Sequence, residues 1–230
     1  MTPAPRGGRP LHEIETWVFD LDNTLYPAAC NLFVLIEKRM NEFIAEEFKV
    51  SLEEAHEIRR AYFLKHGTTL RGLMLDNGMH PKRFLDYVHE VDLSSIPANP
   101  ALIQALEDLP GRKIVFTNGS HRHAERILDW LSISHHFSGI FDIVACDYVP
   151  KPDPSGYQTL IRRHDFDPRS ALMVEDIAKN LKPAAALGMT TAWIKGVKDW
   201  QVADLQEDHI HHVVDDLVPW LVEAAKKPVV

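Results

Sequence analysis

Two carboxylates separated by one residue follow a short apolar run near the N-terminus. Asp20 and Asp22 stand in the segment 20–24 (DLDNT), directly after the run 16–19 (TWVF). Burying two like charges together costs free energy unless a cation neutralises them, so such a pair is typical of a metal or phosphate site. Asp, Asn and Thr are also good turn formers. The segment alone therefore leaves a reactive site and a simple turn both open.

A second polar segment follows a later apolar run. Thr117, Asn118 and Gly119 come directly after residues 113–116 and precede an apolar helical pattern. A hydroxyl, free backbone N–H groups and a helix N-terminus together make a phosphate cradle. The competing interpretation is an ordinary strand-to-helix turn with Ser120 as the N-cap.

Two charged segments complete the set. Lys151 precedes a proline after the run 141–144, and Glu175 and Asp176 follow the run 171–174. A lysine held in place could supply a fixed positive charge, although a lone surface lysine is common. Paired acids suit Mg²⁺, which prefers oxygen ligands and keeps some of its waters. Acids ahead of a helix can also simply complement its dipole.

Six short apolar runs must position these segments. They are rich in β-branched and aromatic residues, alternate with helical patterns, and span residues 16–19, 113–116, 141–144, 171–174, 191–194 and 211–214. Nearly continuous apolar runs of this length predict a doubly wound parallel α/β sheet. Ligands of such sheets bind outside the carboxyl ends of the strands. The four polar segments are therefore expected to converge there.

A long helical interval separates the first two predicted strands. Apolar residues of 32–44 recur at spacings of three and four, and Ser51 with Glu54 forms a capping-box pattern. A third helix is predicted over 69–77 with Gly78 as its stop, and Pro81 opens a fourth. Four helices are too many for one crossover. We therefore predict a disordered tail (1–10), a core (11–29 and 97–230) and an inserted helical cap (30–96).

Composition narrows the possible partners. The chain has 230 residues, a formal net charge of -8 and two cysteines, Cys30 and Cys146. No basic stripe is present to displace counterions from a nucleic acid, and no apolar run reaches membrane-spanning length. The two cysteines form no disulfide framework, and no apolar segment of a signal peptide is seen. These features favour a reducing cytoplasm and leave a small anionic substrate possible. We expect a monomer or homodimer.

Histidines add two weaker patterns. His121 and His123 fall on the first turn after the presumed phosphate segment, where a role in substrate binding is open. His209, His211 and His212 cluster ahead of the last run. A metal tract is conceivable there, but we interpret the cluster as a solvated loop.

The order of these motifs resembles that of the haloacid dehalogenase-like hydrolase superfamily, over nearly the whole chain. The shared elements are the DxDxT of Asp20, the Thr-Asn at Thr117, Lys151-Pro and Glu175-Asp. At finer grain, residues 20–27 (DLDNTLYP), 66–74 (HGTTLRGLM), 109–120 and 175–189 look like the pyrimidine 5′-nucleotidase branch. The resemblance implies a Rossmann-like core with a helical cap. It also implies a Mg²⁺-dependent phosphohydrolase that acts on a small phosphate monoester, namely a pyrimidine nucleoside 5′-monophosphate.

The resemblance further implies a role for each motif residue. Asp20 would be the nucleophile that forms an aspartyl-phosphate, and Asp22 the general acid and then the general base. Lys151 would neutralise charge, while Thr117, Asn118 and Gly119 would hold the phosphate. Mg²⁺ would be bound by Asp20, the backbone carbonyl of Asp22, Asp176 and Glu175, the last directly or through water. In the cap, Arg71, which Gly67 and Gly72 flank, is the candidate to read the leaving group, although a solvated arginine on a helix face is the simpler interpretation.

Electrostatics agrees with these implied roles. A carboxylate that approaches a phosphate dianion is repelled by about 4 kcal/mol per charge pair, at an effective dielectric near 20 and roughly 4 Å separation. A divalent cation and a lysine at that point reverse the sign. The reaction therefore depends more on cations than on a stronger nucleophile.

Several alternatives share parts of this pattern. A phosphatase of another metabolite or a sugar phosphomutase would use the same core. A dehalogenase would keep Asp20 but replace the second acid, which is present here as Asp22. A phospho-accepting signalling domain would lack the helical insert and would carry its acceptor on a later strand. A non-catalytic nucleotide-binding protein would not need the complete motif set.

Overall fold

The computed structural model of the chain describes residues 7–195 and 208–226. Residues 1–6 of the predicted tail lie outside that range. The rest of the predicted tail, residues 7–10, forms no helix or strand. Its Arg9 backbone N–H donates to Thr190 Oγ1 at 2.8 Å, so this stretch rests on the core.

Six parallel strands form one sheet, in the spatial order β3-β2-β1-β4-β5-β6. They are β1 (Thr16–Phe19), β2 (Arg112–Phe116), β3 (Gly139–Phe141), β4 (Ala171–Glu175), β5 (Thr190–Ile194) and β6 (His212–Val214). The first strand lies in the middle, between β2 and β4, and every one of its residues is buried. The predicted parallel α/β sheet is confirmed.

Both faces of the sheet are covered, as expected for a doubly wound fold. Along β1, Trp17 and Phe19 belong to one apolar cluster and Val18 belongs to the other. Successive side chains of a strand point to opposite faces, which explains this division. The helices α5 (Pro100–Asp108), α6 (His121–Trp130), α7 (Pro154–His164), α8 (Leu181–Ala186) and α9 (Leu217–Ala224) accompany the strands.

The third strand lies earlier than predicted. It spans Gly139–Phe141 rather than residues 141–144. The side chain of Asp142 accepts hydrogen bonds from the backbone N–H groups of His121 and Ala145, at 2.9 and 3.0 Å. These bonds turn the chain immediately after Phe141, because a carboxylate that accepts local N–H groups competes with the strand ladder.

Four helices follow β1 and precede α5: α1 (Leu32–Phe48), α2 (Leu52–His66), α3 (Thr69–Asn77) and α4 (Pro81–Val88). Helix α1 packs against α2 and α4, and α2 packs against α3. The predicted capping box is present, since Ser51 and Glu54 each accept a hydrogen bond from the other's backbone N–H. Gly78 ends α3 in the left-handed conformation, with φ 66°. We refer to α1–α4 as the helical cap.

Helices α2 and α3 approach each other closely at a glycine. A Cβ atom on Gly72 would lie only 2.4 Å from the Tyr62 ring. No larger residue fits there without separating the two helices. The spacing of these cap helices therefore depends on Gly72.

The segment that leaves the cap is tied to the core. Arg126 of α6 donates to the backbone carbonyls of His89 and Val91, at 2.6 and 2.9 Å. The indole of Trp130 donates to the carbonyl of Ile96 at 3.0 Å.

Within the described residues, no helix is long and apolar enough to cross a lipid bilayer.

Candidate active site

The predicted motif residues meet at the carboxyl end of the sheet. Asp20 follows β1, Thr117 follows β2, Glu175 ends β4, and Lys151 stands ahead of α7. A cavity of about 380 Å³ lies between this edge and the cap. The predicted site residues that line it are Asp20, Asp22, Thr117, Asn118, Gly119, Lys151, Glu175 and Asp176.

Lys151 connects three elements of the core. Its Nζ donates to Asp20 Oδ1 at 2.7 Å, to Glu175 Oε2 at 2.6 Å and to the Phe116 carbonyl at 2.9 Å. Burial alone would lower the pKa of this lysine, but the charges of Asp20 and Glu175 outweigh burial and raise it. The side chain therefore carries a fixed positive charge between the two carboxylates. Asn118 holds the loop, because its Oδ1 accepts from the Lys151 backbone N–H at 2.9 Å.

Three buried carboxylates gather beside this lysine. One oxygen atom from each of Asp20, Glu175 and Asp176 lies within 4.8 Å of the others. Burial first, and then the charge of Glu175, raises the pKa of Asp20 to about 7. One ammonium group cannot balance three carboxylates, so the cluster favours a further cation. The hard oxygen donors of this cluster fit Mg²⁺.

The second carboxylate of the first motif is held by two side chains. Asp22 Oδ1 accepts from the Tyr26 hydroxyl at 2.6 Å and lies 2.9 Å from His123 Nε2. Since a carboxylate only accepts, His123 Nε2 carries the proton of that bond. Burial alone would raise the pKa of Asp22, but the charge and hydrogen bond of His123, with the Tyr26 bond, bring it below its usual value.

The other oxygen of Asp22 is directed toward the segment after β2. A Cβ atom on Gly119 would lie 3.7 Å from Asp22 Oδ2 and 3.2 Å from Thr117 Oγ1. The Gly119 backbone N–H donates to Thr117 Oγ1 at 2.9 Å. Ser120 then caps α6, where its hydroxyl accepts from the His123 N–H. This compact turn at a helix N-terminus has the form of the predicted phosphate cradle.

The ring of His89, which follows α4, packs against the ring of His123. The rings of His89 and His123 stack at 4.1 Å with an interplanar angle of 13°. His89 Nδ1 lies 3.0 Å from the hydroxyl of Ser120. Burial lowers the pKa of His89 well below its usual value, so this ring is neutral.

Sequence reasoning did not identify Tyr26 or His89 as site residues, and it left the role of His123 open. The position of Tyr26, four residues after Asp22, is a usable signal, since the two side chains meet directly. His123 lies on the first turn of the helix that begins at the phosphate segment. Nothing in the sequence indicates that His89, which follows α4, would contact His123 and Ser120.

Residues of all four cap helices line the cavity, including Thr69 and Leu70 of α3 and Phe84, Leu85 and Val88 of α4. One face each of α1 and α2 forms the rest of this wall. The lining positions recur at helical spacing and are Phe33, Ile36, Glu37 and Met40 from α1, with His56, Arg59, Arg60, Phe63 and Leu64 from α2.

Arg71 is set apart from the other predicted site residues. It lies in the first turn of α3 and is half-buried, but it is not among the residues that line the cavity. The hydrogen bonds of Ser155 lower the pKa of Asp153, and the charge of Arg71 lowers it further. The charge of Arg71 therefore reaches the core loop after Lys151, and its role in reading the leaving group stays a prediction.

Comparisons with known proteins agree with this geometry. A family profile described as haloacid dehalogenase-like hydrolase matches residues 14–188. Phosphate metabolism protein 8 of Saccharomyces cerevisiae is 24% identical over an alignment of 198 residues, which covers 76% of this chain and 60% of that protein. The chain thus spans about three fifths of the length of this relative.

Solved structures share the fold. A HAD phosphatase from Thermococcus onnurineus superposes with a TM-score of 0.60 at 17% identity, over 87% of this chain and 93% of the other. The HAD hydrolase YfnB of Bacillus subtilis gives a TM-score of 0.61 at 15% identity, over 93% of this chain and 99% of the other. With the profile match and the converging motifs, the chain belongs to the haloacid dehalogenase-like hydrolase family.

Proposed function

We propose that the protein is a Mg²⁺-dependent phosphohydrolase that acts on a small phosphate monoester through an aspartyl-phosphate on Asp20. The proposal rests chiefly on one observation. A single buried lysine, Lys151, bridges Asp20 and Glu175 in a cluster of three carboxylates. Such a cluster can stabilise the charge of a phosphate only if a further cation joins it.

Asp20 is the proposed nucleophile. Its Oδ1 is held by Lys151 and its Oδ2 accepts from the Thr24 hydroxyl at 3.2 Å, so the carboxylate has a fixed orientation. Attack on phosphorus forms the bond from Asp20 oxygen to phosphorus and breaks the bond to the alcohol oxygen. Thr117 and the N–H groups of the turn at Gly119 bind the phosphoryl oxygens.

Asp22 is the proposed proton carrier. Two donors hold Oδ1, which leaves Oδ2 directed toward the phosphate turn. The charge of a bound phosphate raises the pKa of Asp22 and favours its acid form. Asp22 then protonates the leaving alcohol oxygen, and its carboxylate afterwards takes a proton from the water that hydrolyses the aspartyl-phosphate.

The proposed cation ligands are Asp20, Asp176, the backbone carbonyl of Asp22 and Glu175, the last directly or through water. When bound, Mg²⁺ would offset the repulsion between a carboxylate and a phosphate, about 4 kcal/mol per charge pair in a partly screened site. YfnB, which shares the fold, was solved with magnesium bound.

The proposed substrate is a nucleoside 5′-monophosphate with a pyrimidine base. The cavity extends from the carboxylate cluster to the cap, and its volume of about 380 Å³ exceeds what a phosphate alone requires. Aromatic side chains of the cap, Phe33 and Phe63, line its far side. The resemblance of residues 66–74 to the pyrimidine 5′-nucleotidase branch supports the same substrate. The printed name of the yeast relative, a phosphate metabolism protein, is consistent with phosphate release.

The deciding experiment is a measurement of inorganic phosphate release. Purified protein is tested on UMP, CMP, AMP, a sugar phosphate and a 2-chloro acid, with Mg²⁺ and with EDTA. We expect Mg²⁺-dependent release of phosphate and the highest kcat/KM for the pyrimidine monophosphates. Halide release from the chloro acid, or activity that survives EDTA, would contradict the proposal.

A further inference from the structure

The cap wall presents large apolar side chains to the cavity. Phe33 and Met40 of α1, and Phe63 and Leu64 of α2, all line the cavity. Leu64 is 74% exposed even though it lies in a tightly packed helical cap. A group of large apolar side chains around a cavity is typical of a binding site for the apolar body of a ligand.

A fixed guanidinium stands within this apolar wall. Arg59 donates from Nε to Asn41 Oδ1 at 2.9 Å and from NH1 to Glu37 Oε1 at 3.0 Å. Its NH2 lies 3.4 Å from His56 Nδ1. The side chain is only 15% exposed, so its orientation is set before any ligand arrives.

Arg59 still has donors to offer. A guanidinium carries five N–H groups, and the three contacts above use one from each nitrogen. Across residues 7–195 and 208–226, no other acceptor is bonded to this side chain. Two N–H groups, one on each terminal nitrogen, are therefore available at the cavity wall.

The remaining donors favour one class of leaving group. An alkyl chain packed here would cover the donors without giving them an acceptor, which is unfavourable for a partly buried charged group. A flat heteroaromatic ring with a carbonyl oxygen at its edge satisfies both features, because its faces are apolar and its edge accepts hydrogen bonds. A guanidinium already held in place loses little conformational freedom when it binds such an edge.

We propose that the α1–α2 face is the leaving-group site and that Arg59 determines specificity by binding a carbonyl oxygen on the edge of a flat heteroaromatic ring packed against Phe33 and Phe63. This inference rests on the proposed phosphohydrolase function and assigns to Arg59 the recognition that the sequence assigned to Arg71.

The test compares Arg59→Met with a matched cap variant. Arg83→Met removes another cap arginine that is paired with a glutamate, Glu47, at 2.6 Å, but that does not line the cavity. Because Arg59→Met removes the ion pair between Arg59 and Glu37, the double variant Glu37→Gln/Arg59→Met is made as well. Each variant is assayed with UMP, with phenyl phosphate, whose ring has no carbonyl, and with octyl phosphate.

We expect Arg59→Met and the double variant to raise KM for UMP by roughly 10- to 100-fold, because a charge-assisted hydrogen bond is lost. Their kcat for UMP and their kcat/KM for phenyl phosphate should change by less than about threefold, and Arg83→Met should behave as the wild type. Equal losses on UMP and phenyl phosphate, no loss on UMP, or a wild-type preference for octyl phosphate would each overturn the inference while leaving the phosphohydrolase proposal in place.

Calorimetry separates the two proposals if no ester is hydrolysed. Absence of phosphate release from all three esters overturns the proposed function. UMP binding to the wild type, weakened in Arg59→Met and unchanged in Arg83→Met, would still support the role of Arg59. Absence of UMP binding, or equal binding to all variants, would overturn that role too.

Discussion

At the scale of single residues, the two aspartates of the first motif are held very differently. Asp20 is surrounded by like charges and one lysine, and burial with Glu175 raises its pKa to about 7. Asp22 accepts hydrogen bonds from Tyr26 and His123, and its pKa lies below the usual value. Two carboxylates whose surroundings separate their pKa values are suited to different chemical roles.

The nucleophile assignment predicts the effect of Asp20→Asn. We expect kcat for UMP to fall by at least about 10³-fold, because an amide oxygen cannot form the acyl-phosphate. The fold should persist, as monitored by circular dichroism. After reaction with ³²P-labelled UMP and quenching in acid, we expect the wild-type protein to carry the label and the variant to carry none, which would identify the phosphorylated intermediate. Turnover near the wild-type rate would refute the assignment.

The contact of His123 with Asp22 predicts a positioning role. We expect His123→Phe to lower kcat roughly 10- to 100-fold with little change in KM, because Asp22 loses one of the two donors that orient it. His123→Gln, whose amide can still donate, should recover part of the rate. His121→Phe, an exposed neighbour on the same helix, serves as the control. Equal losses in His123→Phe and His123→Gln, or a loss in KM alone, would argue against this role.

At the scale of elements, local signals were sufficient for most of the cap. The capping box of Ser51, the glycine stop at Gly78 and the first-turn Pro81 all stand where the sequence placed them. These signals are local, because each satisfies backbone groups of its own helix end. The third strand was predicted too late in the chain, because residues 141–144 are mostly apolar but Asp142 fixes a turn there.

Which face of a helix meets the cavity could not be predicted in the same way. Arg71 was chosen because glycines flank it, whereas the cavity is lined by Arg59 and Arg60 from the preceding helix. The choice depends on how α2 and α3 pack, and that packing is a tertiary property. The contact of His123 with Asp22 could not be predicted for a similar reason, since the two are 101 positions apart in sequence. Tyr26, in contrast, is only four residues from Asp22, and its contact was a local signal that the sequence analysis missed.

The close approach at Gly72 predicts an effect on substrate binding. We expect Gly72→Ala to push α3 away from Tyr62 and so to shift the α2 wall, since a Cβ would lie 2.4 Å from that ring. KM for UMP should rise several-fold, and the melting temperature should fall by a few degrees. Leu75→Ala, on an exposed position of the same helix, is the control. Unchanged KM in Gly72→Ala would show that the cap wall tolerates this displacement.

At the scale of the whole molecule, the proposed Mg²⁺ site would couple metal binding to stability. The pKa of Asp20 is raised from 3.8 to about 7, so in metal-free protein its favourable contribution is full below about 3.8 and is lost as pH rises through about 7. Mg²⁺ must displace a proton at low pH but not at high pH. Stabilisation by the metal should therefore grow with pH.

We expect saturating Mg²⁺ to raise the melting temperature by roughly 5–10 °C at pH 8 and by much less at pH 5.5. Differential scanning fluorimetry with and without EDTA measures this difference. Asp176→Asn should remove most of the Mg²⁺ effect, whereas Asp86→Asn, on the cap surface, should retain it. A metal effect independent of pH, or one that survives in Asp176→Asn, would contradict the proposed ligand set.

The contribution of His212 to stability depends on pH in the opposite sense to that of Asp20. Burial, and then the charge of His211, lowers the pKa of His212 from 6.5 to about 4. A lowered pKa means that the contribution of His212 is present above about 6.5 and is lost as pH falls toward about 4. The predicted solvated loop is wrong at His209, which is buried, whereas the predicted last strand is confirmed at His212, which belongs to β6.

We expect His212→Phe, which keeps a ring against Trp220, to lose less stability than the wild type between pH 7 and pH 4.5. The melting temperature of EDTA-treated protein across that range is the measurement. His80→Gln, an exposed cap position, should follow the wild type. Parallel curves for His212→Phe and the wild type would exclude this histidine as a source of acid sensitivity.

The strands that flank the helical cap are direct neighbours. The chain leaves β1 at Phe19, at the carboxyl end of the sheet, and rejoins it at Arg112 of β2, which pairs with Thr16 at the amino end. Helix α5 makes this return after the cap, so none of the helices α1–α4 takes part in the strand ladder. A graft that exchanges α1–α4 between homologues can therefore change the wall of the cavity without breaking a ladder hydrogen bond, while the carboxylate cluster stays on the sheet.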